Sequence, residues 1–193
     1  MEIYGINDVK HTQLWTNIQN AIHNVSLEDG VVEKDSDKKM RECKIGWISD
    51  KTLMKELYYK ICEYNEKYSA WNFDIRGLEN LQYTLYNNYG SHYDWHQDPL
   101  INPKDCTFNN FDSSLLIRKI SFTIFLNDPD EYEGGELDLE WRSPSTTTER
   151  YDSFKAPAGS ILVFPSTTWH RVRPVTSGIR KSLVGWVLGP PFR

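Results

Sequence analysis

The chain has few cysteines, no long apolar run and no excess of positive charge, and each absence removes a class of protein. Its three cysteines, Cys43, Cys62 and Cys106, are widely spaced and odd in number. They match neither a disulfide framework nor a zinc pattern and fit a reducing compartment. The longest apolar stretches, such as SILVF, are far shorter than the roughly 20 residues needed to span a bilayer. The opening MEIYGINDVKH lacks the basic and apolar regions of a secretory signal, so a cytoplasmic protein with no membrane partner is expected. Lys and Arg number 22 against 27 Asp and Glu, a net charge of −5, and no nucleic-acid partner is expected. No internal repeat or low-complexity tract interrupts the 193 residues.

What is present is a globular composition, 39% hydrophobic and 13% aromatic, suited to a single domain over 1–193 with a sizeable core. The first third is patterned for helices. DVKHTQLWTNIQNAIHNV places Leu14, Trp15, Ile18, Ala21, Ile22 and Val25 on one face. SDKTLMKELYYKICEYNEKY does the same with Leu53, Met54, Leu57, Tyr58, Ile61 and Cys62, and Ser49 or Asp50 is the expected N-cap. Between them, the charged LEDGVVEKDSDKKM is expected to be a loop and RECKIGWI (Arg41 to Ile48) a strand. From about residue 78 the period becomes two, in LQYTLY, RKISFTIFL, ELDLEW, SILVF, HRVRPV and RKSLVGWVL. Ile120, Phe122, Ile124 and Leu126 share one face of their strand; Ser121, Thr123 and Phe125 share the other. Helices followed by many short strands predict a mainly β fold, a jelly-roll-like double sheet with helices packed outside. Residues 1–77 would form a helical support region with one or two strands, and 78–193 the β core.

GSHYDWHQD, Gly90 to Asp98, contains His-x-Asp twice, as His92/Asp94 and His96/Asp98. Residues two apart on a strand point to the same side, so either pair can offer two metal ligands together. Non-haem Fe(II) that must also bind oxygen needs three protein ligands on one face. The remaining histidines are His11, His23 and His170. His11 and His23 belong to the helical region, whereas His170 follows an apolar strand and a short turn. Spacing alone leaves both His-x-Asp pairs open.

Several ordered motifs over about residues 78–190 resemble the Fe(II)- and 2-oxoglutarate-dependent oxygenases, most closely the prolyl 4-hydroxylase branch. They are Gly90, Tyr93, His96 and Asp98; Leu126-Asn127; Gly134-Gly135-Glu136-Leu137; and His170, Pro174-Val175, Gly178 and Arg180. The resemblance implies a double-stranded β-helix, a jelly-roll or cupin-like core. It selects His96, Asp98 and His170 as catalytic metal ligands, because its tyrosine and glycine precede the ligand histidine by the spacing of Tyr93 and Gly90 from His96. His92 and Asp94 then become flanking polar residues. It implies that Arg180, helped by Tyr86, holds the far carboxylate of 2-oxoglutarate, a task the guanidinium fork suits. It places Tyr93, Trp186 and Arg41 toward substrate, with Trp95 as a further candidate for the cavity wall. The implied cofactors are Fe(II), 2-oxoglutarate as cosubstrate, O₂ and ascorbate. The implied activity is C–H hydroxylation yielding succinate and CO₂, with a prolyl residue of a protein or peptide as first expectation. The alternatives are another substrate, nucleic acid or small molecule, or a non-catalytic cupin-like metal-binding module. Nucleic-acid oxygenases of the group carry a second arginine six residues after the first; here that position is Trp186. The polar stretch from Asp98 to Lys119 is expected to cover bound substrate.

Overall fold

A computed structural model describes residues 5–35, 38–68, 71–87, 90–98, 116–140 and 150–192. In chain order these form β1 (Gly5–Asp8), α1 (Gln13–His23), β2 (Glu28–Asp35), β3 (Lys38–Ile48), α2 (Lys51–Lys67), β4 (Gly77–Leu78), β5 (Leu81–Tyr86) and β6 (His92–His96). There follow β7 (Ile117–Phe125), a 3₁₀ turn (Pro129–Glu131), β8 (Tyr132–Gly134), β9 (Leu137–Glu140), β10 (Tyr151–Phe154), β11 (Ser160–Pro165), β12 (His170–Val172), β13 (Val175–Gly178) and β14 (Arg180–Gly189).

Both expected helices form, each started by a side-chain cap. Thr12 accepts from Trp15 N at the head of α1, and Asp50 accepts from Thr52 N and Leu53 N at the head of α2. Leu53, Met54, Leu57 and Ile61 of α2 are buried against Leu81, Ile120, Ile124, Leu183 and Val187 of the sheet. The helices thus cover one outer face of the β core.

The stretch expected to be a loop, Leu27 to Met40, is a correction. Residues 28–35 form strand β2, and β3 already begins at Lys38. Among the described residues β2 pairs with β3 alone, off the main strand path. An edge strand tolerates charged residues because one side faces solvent, so its composition imitates a loop. Gly30 belongs to this pairing, since a Cβ there would lie 2.7 Å from the Ile45 side chain. The region 1–77 therefore contains β1, β2, β3 and β4 rather than one or two strands.

The main antiparallel sheet runs β1-β11-β7-β14-β5-β3-β6-β12-β9-β10. It curls through β3, whose residues 44–48 pair with β5 while Arg41 and Glu42 pair with Tyr93 and His92 of β6. The two limbs of this curl face each other as a jelly roll. Strand β7 serves both sides of its limb. Ile120, Phe122, Ile124 and Leu126 join the helix-side core, whereas Phe125 packs between the limbs with Leu137, Leu139, Leu162, Phe164, Val172 and Val175. The expected single strand HRVRPV is instead two, β12 and β13, broken at Arg173-Pro174, where proline has no N–H for the ladder. Strand β13 leaves the main sheet to pair with β8. Among the described residues no helix is long and apolar enough to cross a membrane.

Candidate active site

Strands β6 and β12 run antiparallel with His96 directly opposite His170. Their rings lie 4.1 Å apart between centroids. Each imidazole is anchored through Nδ1 to a backbone carbonyl two residues earlier: His96 to Asp94 O at 2.7 Å, His170 to Thr168 O at 2.9 Å. A carbonyl only accepts, so both Nδ1 atoms carry a proton, which leaves Nε2 as the ligating atom of the neutral ring. Burial, and then the neighbouring His170, push the His96 pKa down to about 3. Its ring is therefore neutral.

Asp98 stands just past the end of β6, where its N–H donates to Ser166 O at 3.2 Å. One carboxylate oxygen accepts from the Ser121 hydroxyl and lies 3.7 Å from His170 Nε2; the other is 3.9 Å from Arg118 Nη1. Ser121 in turn shares a 2.9 Å hydrogen bond with Ser166. The donor atoms of His96, Asp98 and His170 all fall within 4.8 Å of one another, and all three residues are buried. The other His-x-Asp pair does not join them. Asp94 is exposed, and His92 Nδ1 lies 2.8 Å from Gly90 O. His11 and His23 are exposed at the ends of the α1 segment.

The three side chains form one side of a cavity of about 200 Å³. Arg180 lines the same cavity at 1% exposure. Its Nη1 donates to Ser182 Oγ at 3.0 Å, its Nε is buried without a partner, and no carboxylate among the described residues pairs with it. Arg180 is opposite Tyr86 in the β14–β5 ladder, and its guanidinium carbon lies 5.3 Å from the Tyr86 ring. Burial pushes the Tyr86 phenol up to about 12, which keeps it a neutral hydrogen-bond donor.

Of the residues expected near substrate, Tyr93, Trp186 and Arg41 all line the cavity. Tyr93 stacks on His96, with centroids 3.5 Å apart and planes at 15°. Trp95 does not line it. That ring faces away from the cavity, edge-on to Tyr151 at 5.7 Å and 4.8 Å from the Arg171 guanidinium; the β6–β12 register shifts between His96 and Tyr93, so Tyr93 still reaches the cavity although Trp95 does not. Most of the expected substrate-covering stretch, 99–115, lies outside the described residues.

Two imidazole nitrogens and one carboxylate gathered on one side of a cavity suit a divalent iron with positions left open. A sealed guanidinium lacking a counter-charge suits the far end of a small dicarboxylate. The profile described as the 2OG-Fe(II) oxygenase superfamily matches residues 81–188, more than half of the chain. The chain belongs to that superfamily. Among relatives, a PKHD-type hydroxylase of Hyphomonas neptunium is 50% identical over 68 residues, covering 35% of this chain and 28% of the relative. One from Synechococcus sp. (strain JA-3-3Ab) is 45% identical over 73 residues, covering 38% and 30%. The chain thus spans under a third of the length of these relatives. In fold it resembles a Pseudomonas putida prolyl-4-hydroxylase, with a TM-score of 0.66 at 16% identity over 99% of this chain and 95% of that one. It also resembles the viral collagen prolyl hydroxylase vCPH from Paramecium Bursaria Chlorella virus-1, with a TM-score of 0.64 at 19% identity over 97% of each chain.

In this superfamily member several cavity residues carry no advance signal in the sequence. Arg118 is held by Glu79 through two bonds of 2.5 and 2.6 Å and lies 3.9 Å over the Trp186 ring. Trp47, 46% exposed, sits at the cavity mouth 6.4 Å from Trp186. Ser121 is visible beforehand only as a polar residue sharing a face of β7 with Thr123 and Phe125; nothing local points it at Asp98.

Proposed function

We propose that this chain is an Fe(II)- and 2-oxoglutarate-dependent dioxygenase that hydroxylates a prolyl residue of a protein or peptide. The observation that carries the reading is one cavity with His96, Asp98 and His170 on one side and, on another, the sealed Arg180, with which no carboxylate among the described residues pairs. His96, Asp98 and His170 would hold the iron. Bound there with 2-oxoglutarate and O₂, it supplies the oxidation that inserts oxygen into a C–H bond while the cosubstrate leaves as succinate and CO₂.

The chain's own contribution is position and exclusion of water. Carbonyls of Asp94 and Thr168 hold both imidazoles in the ligating tautomer. The Ser121 hydroxyl turns Asp98 toward His170. Arg180, with Tyr86 and Ser182 beside it, binds the far carboxylate of the cosubstrate. Trp47, Tyr93 and Trp186 give the cavity an aromatic lining, a fit for the apolar ring of a pyrrolidine. The prolyl hydroxylase resemblance in fold supports the same substrate choice.

The test is the purified chain with Fe(II), 2-oxoglutarate, ascorbate and a library of proline-containing peptides, read for succinate and for gain of one oxygen by mass spectrometry. Succinate matched by hydroxyproline is the expected result. Succinate with oxygen on a different residue would move the substrate assignment, and no succinate at all would end the reading.

A further inference from the structure

Among the described residues, four buried side-chain nitrogen or oxygen atoms have no hydrogen-bond partner, and two of them belong to neighbouring side chains: Arg180 Nε and the Tyr132 hydroxyl. Arg180 is 1% exposed and Tyr132 4%. A buried polar group left unbonded is costly, so two of them side by side call for a reason.

The two side chains converge beside Gly135. A Cβ there would stand 3.0 Å from Arg180 Cδ and 3.2 Å from Tyr132 Cε2. The strand pairing brings them to this spot, because Tyr132 of β8 lies opposite Gly178 of β13, two residues before Arg180. Burial pushes the Tyr132 phenol up, and the Arg180 guanidinium pulls it part of the way back. The phenol is therefore a neutral group next to a cation. Lys155 holds it in place: its Nζ donates to the Tyr132 carbonyl at 2.7 Å and lies 4.5 Å from the ring centroid.

The other neighbours of the Arg180 head leave Nε free. The Tyr86 and Phe125 rings lie 5.3 and 5.6 Å from its guanidinium carbon, and Ser182 Oγ accepts from Nη1. An Nε–H can only donate, whereas a phenol oxygen can accept, so the two unbonded atoms are complementary.

We infer that Tyr132 is a positioning residue of the cosubstrate site, its oxygen receiving Arg180 Nε–H as the guanidinium turns onto the far carboxylate of a 2-oxo dicarboxylate. With Nε tied to Tyr132 and Nη1 to Ser182, the planar fork is fixed at two points, and Nη2 and the second proton of Nη1 face the carboxylate. Tyr132 is not among the residues lining the cavity, so it acts through Arg180 rather than on the ligand. The inference rests on the role given to Arg180 in the proposed function. The motifs Leu126-Asn127 and Gly134-Gly135 bracket Tyr132 in the sequence and give it no part.

The experiment compares two ligands that differ only at the far end: 2-oxoglutarate, and 2-oxopentanoate, which has a methyl group in place of the far carboxylate. Each is titrated into the Mn(II)-loaded full chain under argon, with the fluorescence of the cavity residues Trp47 and Trp186 as the signal. The variant is Tyr132→Phe, which keeps the ring and removes the hydroxyl. The ratio of the two affinities, measured on one preparation, does not depend on the folded fraction. Tyr132→Phe binds 2-oxoglutarate about tenfold more weakly, the scale of one charge-assisted hydrogen bond, and binds 2-oxopentanoate as the wild type does. In an Arg180→Lys background, which has no Nε–H, the same change has no further effect. Equal weakening of both ligands shows a packing role and overturns the inference. So does an equal loss in the Arg180→Lys background. A wild-type preference for 2-oxoglutarate that survives in Tyr132→Phe sinks the inference alone, whereas a wild type with no such preference sinks the role of Arg180 and the inference with it.

Discussion

Asp98 is constrained from several directions at once. Its backbone donates to Ser166, its side chain accepts from Ser121, and Ser121 is itself held by Ser166. Partners behind a metal ligand fix its orientation, and their loss typically costs about 10–100-fold in metal affinity. Ser121→Ala should therefore weaken Fe(II) binding by about that factor while leaving the three ligands in place, which competition with a chelator measures. His170→Ala should abolish binding in the same titration, whereas Asp94→Ala should leave it unchanged, because Asp94 contributes to the cluster only through its carbonyl. For Arg180, a lysine keeps the charge but loses the fork. Arg180→Lys should raise the KM for 2-oxoglutarate about 10-fold or more with a smaller change in kcat, and Arg180→Ala should raise it further.

At the scale of elements, the long-range β8–β13 pair is sensitive to single substitutions. Gly134 has φ +69, and a Cβ there would sit 2.2 Å from the Pro174 carbonyl oxygen. The strand pairing of Val175 with Gly134 brings the two backbones that close. Gly134→Ala should cost about 1–3 kcal/mol, the usual size of an enforced left-handed residue, and lower the melting temperature accordingly. The cap of α2 gives a contrasting test away from the cavity. Asp50→Ala removes acceptors for Thr52 N and Leu53 N and should cost about 1 kcal/mol, with turnover unchanged. Helices were easily legible in the sequence because their apolar positions recur on one face, as with Leu53, Met54, Leu57 and Ile61. Strand β2 was not, because a charged edge strand and a charged loop share a composition, and only the partner strand β3 tells them apart. The run HRVRPV predicts one strand by composition, yet Pro174, which has no N–H for the ladder, divides it into β12 and β13.

At the scale of the whole molecule, two apolar clusters hold the curl. One lies between the helices and the sheet, the other between the two limbs. Strand β14 forms part of the cavity through Arg180 and of the helix-side core through Leu183, which is 0% exposed. Leu183→Ala should cost about 2–5 kcal/mol in denaturant unfolding, the range for deleting a buried leucine side chain. The strand order decides which residues can meet. Glu79 and Arg118, 39 residues apart, pair because β14 lies between β4 and β7.

The sequence by itself determined which chemistry was available: imidazoles, carboxylates and guanidiniums at strand positions whose facing follows from alternation. That parity is local, so the two faces of β7 and the two candidate His-x-Asp pairs could be read from a line of letters. Only the tertiary structure decided the partners: Ser121 behind Asp98, Glu79 behind Arg118, and His96 opposite His170. Those relations depend on which strands become neighbours when the sheet curls through β3, and residues distant in sequence acquire them only when the sheet closes.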